Sequence, residues 1–101
     1  MEIIIRGDKI TVTKSMKEYV EEKLSKLDKY LDNPSNVRAK VIVKADKEAP
    51  RVEVTIPLKS YILRSEEKKD DFYASVDKTI DKLERQIRKN KTRIMAKHEK
   101  R

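Results

Sequence analysis

Apolar side chains recur along the chain at two spacings, and the change between them separates helices from strands. The opening segment, EIIIRG, is short and rich in β-branched residues, which is typical of a strand, and Gly7 then favours a turn. From residue 16 the apolar positions recur at intervals of three and four, which predicts one face of an amphipathic helix that ends at Asn33-Pro34. These positions are Met16, Val20, Leu24, Leu27 and Leu31.

The two middle segments, VRAKVIVKA (37–45) and RVEVTIPL (51–58), alternate between apolar and polar residues. This alternation predicts two half-buried strands that form a hairpin. Pairing Val43 with Val54 keeps the apolar side chains on one face of the sheet. The same register sets Lys44 opposite Glu53, which is a favourable cross-strand pair. YILRSEE (61–67) predicts a fourth strand after a short turn.

A second helical stripe follows at the end of the chain, at Tyr73, Val76, Ile80, Leu83 and Ile87. Its spacing also fits a coiled-coil seam, but two heptads are too few for one, so core packing is favoured. Thr13 is suited to cap the first helix, with Ser15 and Glu18 as a competing capping box, and Asp70 or Asp71 is suited to cap the second.

The predicted order β-α-β-β-β-α gives an α+β fold, a two-layer sandwich with a four-stranded mixed sheet and two helices on one face. The first helix must cross over between two strands, by the right-handed route. A length of 101 residues fits one domain. We therefore predict a single domain over residues 1–95 and a polar basic tail, or the start of a linker, over residues 96–101.

Charge is distributed unevenly along a chain whose net charge is +8. Residues 1–84 hold 18 basic and 17 acidic residues, a net charge of +1, whereas residues 85–101 hold eight basic residues and one acidic residue, a net charge of +7. On a helical wheel with Ile80 at the core, a basic row falls on the opposite side: Lys78, Lys82, Arg85 and Lys89. Acidic residues cluster on one flank: Asp77, Asp81 and Glu84. A negatively charged partner is implied, which is a nucleic acid, an anionic membrane surface or an acidic protein.

The last helix is predicted to be longer than the sheet, because residues 71–95 span about 37 Å and an eight-residue strand about 27 Å. Lys91 occupies the apolar stripe beyond Ile87, which indicates that the stripe has left the core. A solvated, helix-stabilising basic face is the alternative, but phosphate binding accounts better for so much charge. The tyrosines show no cluster on a strand face, which argues against base stacking and favours recognition of the backbone and shape of folded RNA.

The polar face of the sheet is either a second contact surface or simply exposed to solvent. Its residues are Arg38, Lys40, Lys44 and Arg51, with Ile42 and Thr55.

Most catalytic chemistry is excluded by composition. The chain has no Cys, one His (His98) and one Gly, so we expect no metal, no cofactor, no catalytic triad and no glycine-rich phosphate loop, and hence no enzyme. The acid pairs at 66–67 and 70–71 are explained more simply by capping and solvation than by a catalytic site. No apolar run approaches 18 residues and no secretory signal opens the chain, so we expect a cytoplasmic protein with no membrane partner.

Taken together, the opening strand, VTKSMKEYVEEKLSKLDKY, RVEVTIPL and YILRSEEKKDDFYASVDKTIDKLERQIRKNKTR resemble the ribosome hibernation promoting factor family over residues 1–95. The resemblance implies a domain similar to a double-stranded RNA-binding domain with an added strand. It implies binding to the small ribosomal subunit and its rRNA, in the channel for messenger and transfer RNA. There it would inhibit translation and promote ribosome hibernation under stress or in stationary phase.

The resemblance also implies which side chains face rRNA, all of them on the last helix: Lys82, Arg85, Arg88, Lys89, Lys91 and Arg93. Lys78 joins this set on helical geometry alone. Long members carry a further C-terminal domain that pairs two ribosomes, and RIMAKHEKR supplies none, so we expect this domain to be monomeric. It is either a natural short form or a fragment of a long member. The alternative function is a basic module that docks onto an acidic protein.

Overall fold

The structure, a computed structural model, describes the backbone of residues 1–99 and the side chains of residues 1–90. Its strands and helices, in chain order, are β1 (Glu2–Asp8), α1 (Lys14–Ser25), β2 (Arg38–Lys44), β3 (Arg51–Pro57), β4 (Ile62–Glu67) and α2 (Phe72–Glu99). Two short 3-10 helices, Lys26–Tyr30 and Pro34–Asn36, join α1 to β2. The predicted order β-α-β-β-β-α is confirmed.

The four strands form one mixed sheet in the order β1-β2-β3-β4. β1 and β2 are parallel, whereas β2, β3 and β4 are antiparallel neighbours. A parallel pair needs a long crossover connection, and α1 supplies it. The predicted mixed sheet is therefore confirmed.

Both helices bury their apolar stripes against the same face of this sheet, and one continuous cluster results. α1, the 3-10 helix that follows it and the sheet contribute Val20, Leu24, Leu27, Ala39, Val41, Val43, Val52, Val54, Ile56 and Leu63. Its α2 side consists of Phe72, Val76, Ile80, Leu83 and Ile87. The stripe on α2 is thus a core face, as predicted, and the two-layer arrangement is confirmed.

The α2 stripe begins one residue earlier than the sequence predicted. Phe72 is 6% exposed, whereas Tyr73 is 42% exposed and packs its ring edge-on against Tyr19, with the centroids 4.8 Å apart. The prediction of Tyr73 was wrong because residues 72 and 73 both fit the spacing to Val76, and the phenylalanine ring, which has no hydroxyl to hydrate, takes the core. Buried Thr79 also belongs to this face, where its hydroxyl donates to a backbone carbonyl one turn earlier.

The hairpin register differs by two residues from the predicted one. Val54 lies opposite Val41, and Lys44 lies opposite Arg51. A shift of two residues leaves every side chain on the same face, so the alternation of apolar and polar residues cannot detect it. The predicted contact of Lys44 with Glu53 still forms, because the Lys44 ammonium reaches the carboxylate diagonally at 3.1 Å.

The turn after β1 also differs from the prediction. Gly7 lies within β1, and the residue with positive φ is Lys9, at 60°. Glycine is required at position 7 for a different reason: a Cβ there would collide with the backbone carbonyl oxygen of Ile10.

The predicted cap of α1 is confirmed, since the Thr13 hydroxyl accepts from the N–H of Met16 at 3.1 Å. The helix then narrows to 3-10 geometry at Lys26, well before Asn33-Pro34.

A glutamine on α2 closes part of the exposed edge of the sheet. The Gln86 side-chain amide accepts from the N–H of Arg64 at 3.1 Å and donates to the carbonyl of Arg64 at 2.7 Å. Arg64 lies on β4, an edge strand whose outward backbone groups have no neighbouring strand. Gln86 therefore replaces two hydrogen bonds of a fifth strand at this position and ties α2 to β4.

Gln86→Ala should lower the free energy of unfolding by about 1–2 kcal/mol, because both hydrogen bonds to the Arg64 backbone are lost. The matched control is Arg85→Ala, the neighbouring position, which is exposed and has similar helix propensity. It should change stability by less than about 0.5 kcal/mol. Urea denaturation followed by circular dichroism measures both, and equal values for the two variants would contradict the role given to Gln86.

Candidate nucleic-acid interface

The rotation of α2 about its axis is fixed by a cap at its start and by buried side chains further along it. At the start, the Asp71 carboxylate accepts from the N–H of Ala74 at 2.8 Å, so Asp71 rather than Asp70 is the cap. Further along, Leu83 and Ile87 are completely buried. The side of the helix that points away from the sheet is therefore fixed, and it carries the predicted basic row.

The structure brings four of the predicted residues together on this outward side, which we call the basic row: Lys78, Lys82, Arg85 and Lys89. Lys78 is half-buried and the other three are exposed. Arg88, also predicted, lies at one side of the row, towards α1. The backbone of Lys91 and Arg93 continues in the same helix, but their side chains lie outside the described residues.

Members of the basic row differ in how far their charge is already neutralised. Lys82 has its ammonium 2.6 Å from the carboxylate of Glu67, which is mostly buried. Among the side chains of residues 1–90, Lys78, Arg85 and Lys89 form no ion pair. These three cations are therefore the ones most available to an external anion.

Arg88 is held by one side chain of α2 and by one from the 3-10 helix that follows α1. Its guanidinium lies 2.6 Å from the Glu84 carboxylate and donates to the Tyr30 hydroxyl at 3.2 Å. The bond to Tyr30 and the nearby carboxylate raise the pKa of Arg88, so its charge is constant over the physiological range. Tyr30 in turn donates to Glu84 at 2.9 Å. Arg88 is thus oriented before any ligand arrives.

The acidic flank of α2 has a structural function that the sequence prediction missed. Asp77 accepts from the Tyr19 hydroxyl at 2.7 Å, just as Glu84 accepts from Tyr30. The bond to Asp77 raises the pKa of Tyr19 to about 12. A signal was present in the spacing of the acids, because Asp77 and Glu84 lie seven residues apart, about two helical turns, on one side of α2.

Acidic residues also neutralise most of the cations on the outer face of the sheet. The closest N–O distances in these pairs lie between 3.1 and 3.3 Å: Arg38 with Glu2, Lys44 with Glu53 and Glu66, Arg51 with Asp46, and Arg64 with Glu53. The hydrogen bond from Lys44 lowers the pKa of Glu53, so these pairs persist at neutral pH. Lys40 and Arg6 differ, since neither forms an ion pair with the side chains of residues 1–90. The outer face is therefore a weaker anion site than the basic row.

Three of the four acids in the pairs at 66–67 and 70–71 have a structural role. Glu66 binds Lys44, Glu67 binds Lys82, and Asp71 caps α2. In the part of the chain that the structure describes, no three His, Cys, Asp or Glu side chains lie close enough together to hold a metal ion. Over the same residues, no helix is both long and apolar enough to cross a membrane.

The length of α2 carries the basic end beyond the sheet. Its 28 residues extend about 42 Å, whereas seven-residue strands extend about 23 Å. Gln86 contacts β4 two residues from the strand's start at Ile62, and thirteen helical residues follow it, about 20 Å. The helix continues to Glu99, past the predicted end near residue 95. Several cations at this end can therefore approach phosphates from more than one side.

Comparison with known proteins gives consistent results. Residues 3–95 match the family described as Sigma 54 modulation protein / S30EA ribosomal protein. The ribosome hibernation promotion factor of Staphylococcus aureus (strain COL) is 49% identical over 94 residues, which are 92% of this chain and 50% of that protein. The chain thus spans about half the length of this relative.

Two solved structures share the fold. The Protein Y N-terminal domain of Thermus thermophilus superposes with a TM-score of 0.78 at 33% identity, over 88% of this chain and 98% of that one. A ribosomal subunit interface protein from Coxiella burnetii gives a TM-score of 0.80 at 24% identity, over 91% and 99% of the two chains, and supports the fold alone. With the family match over almost the whole chain and nearly half of the aligned positions identical to the staphylococcal factor, this chain belongs to the S30EA ribosomal protein family.

Proposed function

We propose that this chain binds the small ribosomal subunit through the basic row and the projecting end of α2, which contact rRNA phosphates. The observation that carries the proposal is the presence of two exposed cations, Arg85 and Lys89, on a helix whose rotation is fixed by the core. Neither forms an ion pair with the side chains of residues 1–90. The family match and the name of the staphylococcal relative, a ribosome hibernation promotion factor, support the ribosome as the partner.

The proposed mechanism is occupancy without chemistry. Cations spaced along a rigid helix replace condensed counterions on rRNA, and the release of these ions favours binding. A domain seated in the channel for messenger and transfer RNA excludes both, so translation cannot start and the idle ribosome is preserved under stress. Such a factor works in the cytoplasm and needs no cofactor.

Co-sedimentation of the 101-residue chain with purified small ribosomal subunits tests this function. The chain should pellet with the subunits, and messenger RNA with initiator tRNA should displace it, because they occupy the same channel. Failure to pellet at moderate salt would remove the ribosome from the proposal. Capture that survives nuclease treatment of the partner would instead indicate an acidic protein.

Binding should depend steeply on salt. If about six phosphates are neutralised, the logarithm of the association constant should fall against the logarithm of salt concentration with a slope of roughly −4 to −5. Fluorescence anisotropy of the labelled chain across a salt series measures this slope. A slope near zero with full binding would contradict the phosphate mechanism.

Charge reversal on the basic row should separate binding from stability. Arg85→Glu with Lys89→Glu should weaken binding to the small subunit by at least about a hundredfold, since two phosphate contacts become repulsions. The melting temperature should change little because neither side chain supports the core. The matched control, Lys9→Glu with Lys47→Glu, changes net charge equally but alters the loops after β1 and β2. Equal weakening by both pairs would show that only net charge matters.

A further inference from the structure

A cavity of about 550 Å³ opens at the end of the sheet from which α2 projects. It lies between residues 30–33, which follow α1, and residues 57–61, which join β3 to β4. Leu31 and Leu58 make its walls apolar, whereas the amides of Asn33 and Asn36 border it with hydrogen-bond donors and acceptors. Its volume is within the range of about 300–1,000 Å³ that is usual for ligand sites.

One wall of the cavity is a tyrosine suited to stacking. Tyr61 is half-buried and packs against the core cluster, so its ring is already immobilised. Its hydroxyl makes no hydrogen bond with the side chains of residues 1–90, and burial raises its pKa, with the Asp32 carboxylate adding to this shift. The side chain therefore presents a rigid aromatic surface and a neutral hydroxyl to the cavity.

The cavity lies directly beside the basic end of α2. Tyr30, another wall residue, has its ring close to two cations, with the Lys29 ammonium 5.2 Å and the Arg88 guanidinium carbon 5.8 Å from its centroid. The Tyr30 hydroxyl accepts the hydrogen bond from Arg88 already described. Lys59 also lines the cavity and is exposed.

On its other side, the cavity continues into a shallow depression on the outer face of the sheet. The two share Asn36, Val37 and Pro57, and the depression reaches Lys40. Lys40 is exposed and forms no ion pair with the side chains of residues 1–90. A continuous track therefore runs from the cations at the end of α2, through an aromatic cavity, to a further cation.

We propose that this cavity binds one unpaired RNA base, stacked on Tyr61, with its flanking phosphates contacting the α2 end on one side and Lys40 on the other. This inference rests on the proposed function, since it specifies part of the RNA that the chain contacts. A polynucleotide supplies planar groups with hydrogen-bonding edges between regularly spaced anions, which matches the order of groups along the track. This site was not predicted from the sequence, because the fold brings Tyr30 and Tyr61 together from distant segments.

Nucleotide titration of the isolated chain, followed by NMR, tests the cavity directly. The four nucleoside 5′-monophosphates should shift the side-chain amide signals of Asn33 and Asn36, with dissociation constants of about 1–10 mM, as expected for a single stacked base. Ribose 5-phosphate, which has the phosphate but no base, should leave these signals in place. Shifts of equal size with ribose 5-phosphate, or no shifts with any nucleotide, would overturn the proposal.

Binding to small subunits tests the cavity in its proposed setting. Tyr61→Leu should weaken binding about tenfold with an unchanged salt slope, because it removes a stacking surface and no charge. The matched control, Tyr73→Leu, alters an exposed tyrosine outside the cavity and should bind as the original chain does. Lys40→Gln should reduce the salt slope by about one, whereas Lys47→Gln, in the loop at the opposite end of the sheet, should not.

The outcomes separate the two proposals. If Tyr61→Leu binds like Tyr73→Leu while charge reversal on α2 abolishes binding, the cavity proposal fails and the proposed function stands. If the original chain does not bind small subunits at all, the proposed function fails and the nucleotide titration alone decides the cavity. Should Tyr61→Leu not fold, Asn36→Ala replaces it, with an expected weakening of about threefold from one lost polar contact.

Discussion

The burial of one face of α2 against the sheet is the constraint on which the rest of the molecule depends. Each fully buried leucine or isoleucine on this face contributes about 1.5–3 kcal/mol relative to exposure. An exposed ion pair contributes at most about 1 kcal/mol. The apolar residues therefore decide how the helix is rotated, and the basic residues occupy the side that remains. The position of the basic row follows from packing, and no attraction within the protein is needed to hold it there.

The charges themselves are sorted into two groups by their neighbours. Acidic side chains on the flank of α2 hold the tyrosines of α1 and of the segment after it, and those on the sheet pair with arginine and lysine across the strands. Both uses are internal, so these regions present little net charge to a partner. Arg85 and Lys89 have no such neighbours among the described side chains. Together with Lys78 they form one row of unneutralised cations along the outward side of α2.

Patterns of local spacing predicted the fold well, and contacts between distant segments marked the limit of prediction. The period of two located the strands and the period of three to four located the helices, because burial on one face imposes those periods. The same periods could not distinguish Phe72 from Tyr73 at the start of α2, or a hairpin register from one shifted by two residues. The basic row was predicted from the helical wheel alone. The neutralisation of Lys82 by Glu67 depends on how α2 lies against β4, and no local pattern encodes that.

Gln86 holds the angle at which the projecting end of α2 leaves the sheet. Its two hydrogen bonds to the backbone of Arg64 join the helix to the sheet close to the point where the helix extends beyond the sheet. Any tilt of the projecting end is therefore a rotation about this contact. The helix extends about 20 Å beyond Gln86, and a tilt of about 5° at this contact displaces the end of the helix by about 2 Å. That displacement is several times wider than the range of donor–acceptor distances, about 2.7–3.2 Å, over which a hydrogen bond to phosphate forms. The accuracy with which the basic end of α2 meets a rigid partner therefore depends on Gln86, an uncharged side chain about 20 Å from the end of the helix.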